Sequence, residues 1–284
     1  MRRRPLLCVS ACATLVAVAV SLSGLGAPTA GATGVTPGPR FGHPLISVDS
    51  GGTSLKTSTS NNWSGYNQGY LEKRTRFTSI SAQWTVPTAK QHTPGQAENS
   101  ATWIGIGGGC VNAACSVTDN TLIQAGTEQD VAANGTTSYA AWWEAVPVPS
   151  VNSSITVRAG DVITCTISQT VPEVWSITLR DVTDGHSFSQ SVPYSSTYLT
   201  AEWILETPVV VGSGGTGIAA LPTLTKTHFS HATVNGKPAG LVSSEAIQLV
   251  SSSGRVLATP SKPARNAAAF DDCSYATTCA APAR

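Results

Sequence analysis

Short runs rich in Val, Ile, Thr and aromatic residues recur along this chain from Asn62 onward, separated by Gly, Pro, Asn and Ser. No long stretch repeats its apolar residues at a period of 3.6, so a helical bundle is excluded. The rhythm predicts strands over 77–86, 100–106, 121–125, 138–146, 154–157, 161–170, 175–182 and 200–206. More follow over 225–232, 246–250 and 256–258, with Val234-Asn235-Gly236-Lys237 as a turn. Such spacing builds an antiparallel sandwich or barrel, and 284 residues suffice for one large all-β domain.

The ends read differently from the middle. Met-Arg-Arg-Arg precedes an apolar stretch from Leu6 to about Leu22 and small residues from Ala27 to Ala32, the pattern of a cleaved secretory signal peptide over residues 1–32. Residues 33–58, rich in Gly, Pro, Ser and Thr, read as a linker or short prosegment. The domain occupies 59–260, and 261–284 form a C-terminal extension of unassigned role. A net charge of +1 with 12% charged residues gives no electrostatic reason to expect nucleic acid or an anionic membrane as partner. Cys110 with Cys115 and Cys273 with Cys279 fit two short-loop disulfides of an exported protein. Cys165 alternates like a strand residue and is expected as a buried, inert thiol.

Chemistry concentrates in two strands. In Leu-Thr-Ala-Glu-Trp-Ile-Leu-Glu-Thr-Pro, residues 199–208, Glu202 and Glu206 share one face of a strand while Trp203 joins the core on the other. In Tyr-Ala-Ala-Trp-Trp-Glu-Ala-Val-Pro, residues 139–147, Glu144 shares a face with Trp142. Carboxylates among aromatic rings lose hydration, which raises their pKa and suits them to proton transfer. The plainer alternative is that each is a solvated outer-face residue.

These segments resemble the glutamic peptidases of the eqolisin type. The resemblance rests on Asn62-Trp63-Ser64-Gly65-Tyr66, Thr102-Trp103-Ile104-Gly105-Ile106, Leu122-Ile123-Gln124-Ala125-Gly126, Ala141-Trp142-Trp143-Glu144, Gly160-Asp161 and Ala201-Glu202-Trp203-Ile204-Leu205-Glu206, in order over most of 61–259. It implies a concanavalin A-like β-sandwich of two antiparallel sheets with a concave substrate groove. It also implies a monomeric, secreted, extracellular acid endopeptidase acting on polypeptides without a cofactor. The family's catalytic pair carries over to Gln124 and Glu206, and Glu202 matches a family position outside that pair. Trp103, Glu128 and Glu144 match positions that line or support the site. On this reading Glu206 takes a proton from the attacking water while the Gln124 amide donates to the oxyanion.

Three positions depart from the fungal pattern. An acid is replaced by Gly107, an Asp by Glu128, and a groove aromatic by Val146. The expected consequence is an acidic optimum, milder than that of the fungal relatives. No motif for a metalloprotease, a serine hydrolase or a phosphate-binding loop is present, and His228 and His231 are not expected to bind a metal. Two other classes stay open: a glycoside hydrolase using Glu144 and Glu206, and a non-catalytic glycan-binding module whose Trp residues stack on sugars.

Overall fold

The computed structural model describes residues 47–48, 58–212 and 215–283. The expected signal peptide lies outside them, as does most of the 33–58 linker, of which Ser47–Val48 pairs antiparallel with Ser58–Ser60. Five strands carry the argument below: β1 (Trp63–Gly69), β2 (Glu98–Gly107), β3 (Leu122–Val131), β4 (Thr137–Ala145) and β5 (Thr200–Glu206). They lie side by side in the order β1, β5, β2, β3, β4, all antiparallel. Ala246–Val250 extends this sheet beyond β1, and Val151–Asn152 extends it beyond β4.

A second sheet runs Ser187–Pro193, Val174–Asp181, Val162–Val171, Ser79–Thr85, Thr227–Val234, Phe270–Ser274, Val256–Pro260. Val256–Pro260 also pairs with Ala246–Val250, so the two sheets are joined along one side. The fold is therefore the expected β-sandwich. Its core lies between the layers, where Tyr66, Ile104, Ile123 and Trp203 meet Ile80, Trp84, Ile163, Leu179 and Phe229. Each such side chain stabilises the fold by ~1.5–3 kcal/mol on burial. Cys165 is buried here without a disulfide, and burial pushes its thiol pKa up, which keeps it inert. Cys110–Cys115 and Cys273–Cys279 are bridged.

Three local expectations change. Residues 154–157 are not a strand: the chain leaves the edge after Ser153, whose N–H donates to Ala141 O, and Ile155 and Val157 tuck into the core. β1, Trp-Ser-Gly-Tyr-Asn-Gln-Gly, is a strand buried along its whole length despite its polar composition. Within 261–284, Phe270–Ser274 is a strand of the sandwich, bonded to strands on both sides.

Candidate active site

Alternation turns every second residue of the front sheet away from the core. Register then arranges those residues in rows. One row crosses all five strands as Asn67, Glu202, Gly105, Gln124, Glu144. The next holds Gly65, Ile204, Trp103, Gly126, Trp142, and the one beyond it Trp63, Glu206, Ala101, Glu128, Ala140.

In the first row Gly105 is all that separates Glu202 from Gln124. A Cβ on Gly105 would meet Leu122 Cδ1 and Trp103 Cζ3 at 3.0 Å and Gln124 Cβ at 3.2 Å. The two flanking backbones are ~10 Å apart, two strand spacings, and the side chains of Leu122 and Trp103 stand over the glycine. Gln124 is buried, and its Nε2 donates to Glu144 Oε2 at 2.6 Å. That bond fixes which end of the amide is which. Gln124 Oε1 and both carboxylate oxygens of Glu202 are buried with no hydrogen-bond partner of good geometry among the described residues. Unpartnered buried oxygens cost stability, and their concentration at one spot marks a place built for something other than stability.

Burial holds the Glu202 pKa well above the ordinary glutamic range; the Thr200 hydroxyl offsets this in part, and repulsion from Asp119 adds to it. The lid over Glu202 is the glycine turn at the end of β2. A Cβ on Gly109 would lie 1.8 Å from Asn67 Oδ1 and 2.4 Å from Glu202 Oε1, so the bare backbone rests on the acid. Asn67 clamps this turn with two bonds, Nδ2 to Cys110 O at 2.8 Å and Cys110 N to Oδ1 at 2.7 Å. Gly107 has φ 91°, and a Cβ there would fall 2.0 Å from Thr121 O. The acid of the fungal pattern has no room at this position.

Glu206 lies on the same face as Gln124 but not in its row. It is four residues further along β5, ~13 Å, as well as two strands away. In the register Gly105 and not Ala101 stands beside Gln124. Glu206 instead accepts from Trp103 Nε1 at 2.7 Å and from Asn62 Nδ2 at 3.3 Å. Trp103 thus spans the rows, its indole N–H on Glu206 and its Cζ3 against the space over Gly105, with Trp63 edge-on at 4.9 Å. Glu128 sits across Ala101 from Glu206. The sequence-derived residues therefore form two contacting pairs, Gln124 with Glu144 and Trp103 with Glu206. Glu202, Asn67 and Asp119 were not assigned roles. Among the described residues no three His, Cys, Asp or Glu side chains gather as metal ligands.

Gly105→Ala tests the geometry. The neighbours are side chains that can yield a few tenths of an ångström, so the fold should persist with little change in melting temperature. Gln124 should move, and since small misplacements at a reacting centre are costly, kcat/KM should fall at least ~10-fold.

The chain is 28% identical over 152 residues to Aspergillopepsin-2 of Aspergillus niger, which covers 46% of this chain and 51% of that protein. It thus spans about half the length of the curated relative it matches. The solved structure of scytalido-glutamic peptidase with a transition state analog inhibitor superposes with a TM-score of 0.59 at 22% identity, over 75% of this chain and 98% of that one. Aspergilloglutamic peptidase from Aspergillus niger does so with a TM-score of 0.50 at 22% identity, over 62% and 99%. These last two likenesses establish the sandwich. A family model matches residues 61–268, nearly the whole described domain, and the chain belongs to the Peptidase A4 family.

Proposed function

We propose that this protein is a secreted acid endopeptidase in which Glu206 and Gln124 act together on a peptide bond bound against this face of the front sheet. One observation carries this reading: a buried Gln124 amide, bonded to Glu144 and with its Oε1 unpartnered, and a buried Glu206 carboxyl lie on one sheet face, with Trp103 reaching from Glu206 to the space over Gly105 beside Gln124. Glu206 as a carboxylate takes a proton from water as it attacks the scissile carbonyl, then returns it to the leaving nitrogen. Gln124 Oε1 accepts from that water and orients it. The Nε2 hydrogen not engaged by Glu144 donates to the developing oxyanion. Glu144 keeps the amide from flipping, and Glu206 holds Trp103 as the wall of the site.

Two disulfides agree with an oxidising compartment. The glycosidase alternative needs two acids about 5–9.5 Å apart with free space between them. Glu144 is bonded to Gln124, so it is not placed for that work.

The test is cleavage of denatured casein and of plant polysaccharides at about pH 3 to 6, with Gln124→Ala alongside the unaltered protein. Casein should be cut and polysaccharide left intact, and Gln124→Ala should lose ~10²-fold or more, the usual contribution of one oxyanion donor. Polysaccharide cleavage that survives Gln124→Ala would establish a glycosidase instead.

A further inference from the structure

We infer that Tyr194 is a positioning residue for Gln124 and Glu144: its hydroxyl stands in for one bond of the β3–β4 ladder and sets the spacing of the two strands beside the site. The inference rests on the reading of Gln124 as the oxyanion donor.

In an antiparallel pair, facing residues exchange two backbone bonds at every second position. Ile123 faces Ala145 and Gln124 faces Glu144, so Leu122 and Val146 are the next facing pair at the end of β3 and β4. Half of their exchange is direct, with Val146 N–H donating to Leu122 O at 2.9 Å. The other half runs through a phenol. Leu122 N–H donates to the Tyr194 hydroxyl at 2.6 Å, and that hydroxyl donates to Val146 O at 3.0 Å. An oxygen carried between donor and acceptor spaces them wider than a direct bond of ~2.9 Å, so the hydroxyl wedges the strands at this end.

That spacing bears on the site. Leu122 and Val146 each lie two residues from Gln124 and Glu144, on the same face of their strands. Their side chains pack with Trp103 and Trp142 in the apolar wall of the front sheet, and Leu122 Cδ1 stands over Gly105. The next cross-strand contact along the pair is Gln124 Nε2 to Glu144 Oε2 at 2.6 Å, the bond that orients the amide. Tyr194 itself is anchored in the second sheet, directly after the strand Ser187–Pro193. Its N–H donates to Glu173 O at 2.8 Å, and its carbonyl accepts from the indole N–H of the fully buried Trp175 at 3.0 Å. The end of the β3–β4 ladder is thereby tied to the layer behind it.

The test is Tyr194→Phe, which keeps the ring and removes the bridging oxygen, made in the unaltered protein and in Gln124→Ala. In the unaltered protein kcat on a peptide substrate should fall ~10-fold or more with KM within roughly 2-fold, because a displaced oxyanion donor weakens the transition state and not substrate binding. In Gln124→Ala the same change should cost less than roughly 2-fold, since no amide is left to misplace. Equal losses in the two backgrounds, a loss confined to KM, or an unchanged kcat overturns the inference. Amide hydrogen exchange on the unaltered protein needs no variant to fold: Leu122 N–H should exchange as slowly as the ladder amides of β3, and exchange at the rate of an open turn is the contrary result. Gln124→Ala alone separates the two levels. If it keeps full activity, the reading of Gln124 is wrong; if it is impaired while Tyr194→Phe costs the same in both backgrounds, only the role of Tyr194 fails.

Discussion

Glu206→Gln should lower kcat/KM on a peptide substrate by ~10²–10⁴, the range a positioned general base supplies, because an amide cannot take the proton of the attacking water. Glu202→Gln should cost no more than roughly 10-fold, since its side chain lies under the Gly109 turn and not beside Trp103. The two substitutions are the same chemical change on the same strand face, four residues apart. Any difference between them therefore reports register and not acidity. Folding offers the control: Glu202→Gln removes a buried carboxyl without partners and should melt no lower than the unaltered protein near neutral pH. Steady-state kinetics with matched melting curves checks both, and a Glu202→Gln loss as large as that of Glu206→Gln would move the base to Glu202.

The second large effect is on stability against pH. Asp272 is fully buried, its Oδ2 accepting from Ser64 Oγ at 2.7 Å. Burial pushes its pKa up from 3.8 to about 8; the bonds from Ser64 and the Cys273 backbone lower it in part, and Asp271 adds repulsion. The sign is fixed by the unfolded chain, in which this group ionises near 3.8. Below that pH both states hold the proton, and the native state carries no penalty. As pH climbs toward 8 only the unfolded chain gains by ionising, so stability is lost across that window, by roughly 5 kcal/mol at most from this residue. Glu202 and Glu245, also raised chiefly by burial, act in the same direction. Melting temperature should fall steadily from mild acid to pH 8, and Asp272→Asn should flatten that fall. A profile equally steep in both proteins would show that Asp272 is not its source. Loss of the fold then bounds activity on the alkaline side.

Much of this arrangement was legible in the sequence, and the limits have a physical reason. The strand Thr200–Glu206 follows from alternation alone, as does the assignment of Trp203 to the core and of both acids to the other face. Choosing between Glu202 and Glu206 does not follow, because residues four apart on a strand are equivalent by period, and only the pairing with β2 distinguishes them. β1 was missed because Ser, Gly, Asn and Gln dominate it; its polar side chains are spent on buried bonds, Asn67 to Cys110 and Gln68 to Ala239 O. Phe270–Ser274 was missed because two adjacent aspartates argue against a buried strand, and here both are buried. Lys226 and His228 bond Asp271, and Ser64 bonds Asp272. Such partners come from remote segments and leave no local pattern.

The bond between Ser64 and Asp272 joins residues 208 positions apart, one in the first long strand of the sandwich and one in its last. A ribosome making this chain releases β1 long before its closing partner exists, and loop closure over that distance is slow. The sandwich therefore closes only once the segment that holds Asp272 has been made.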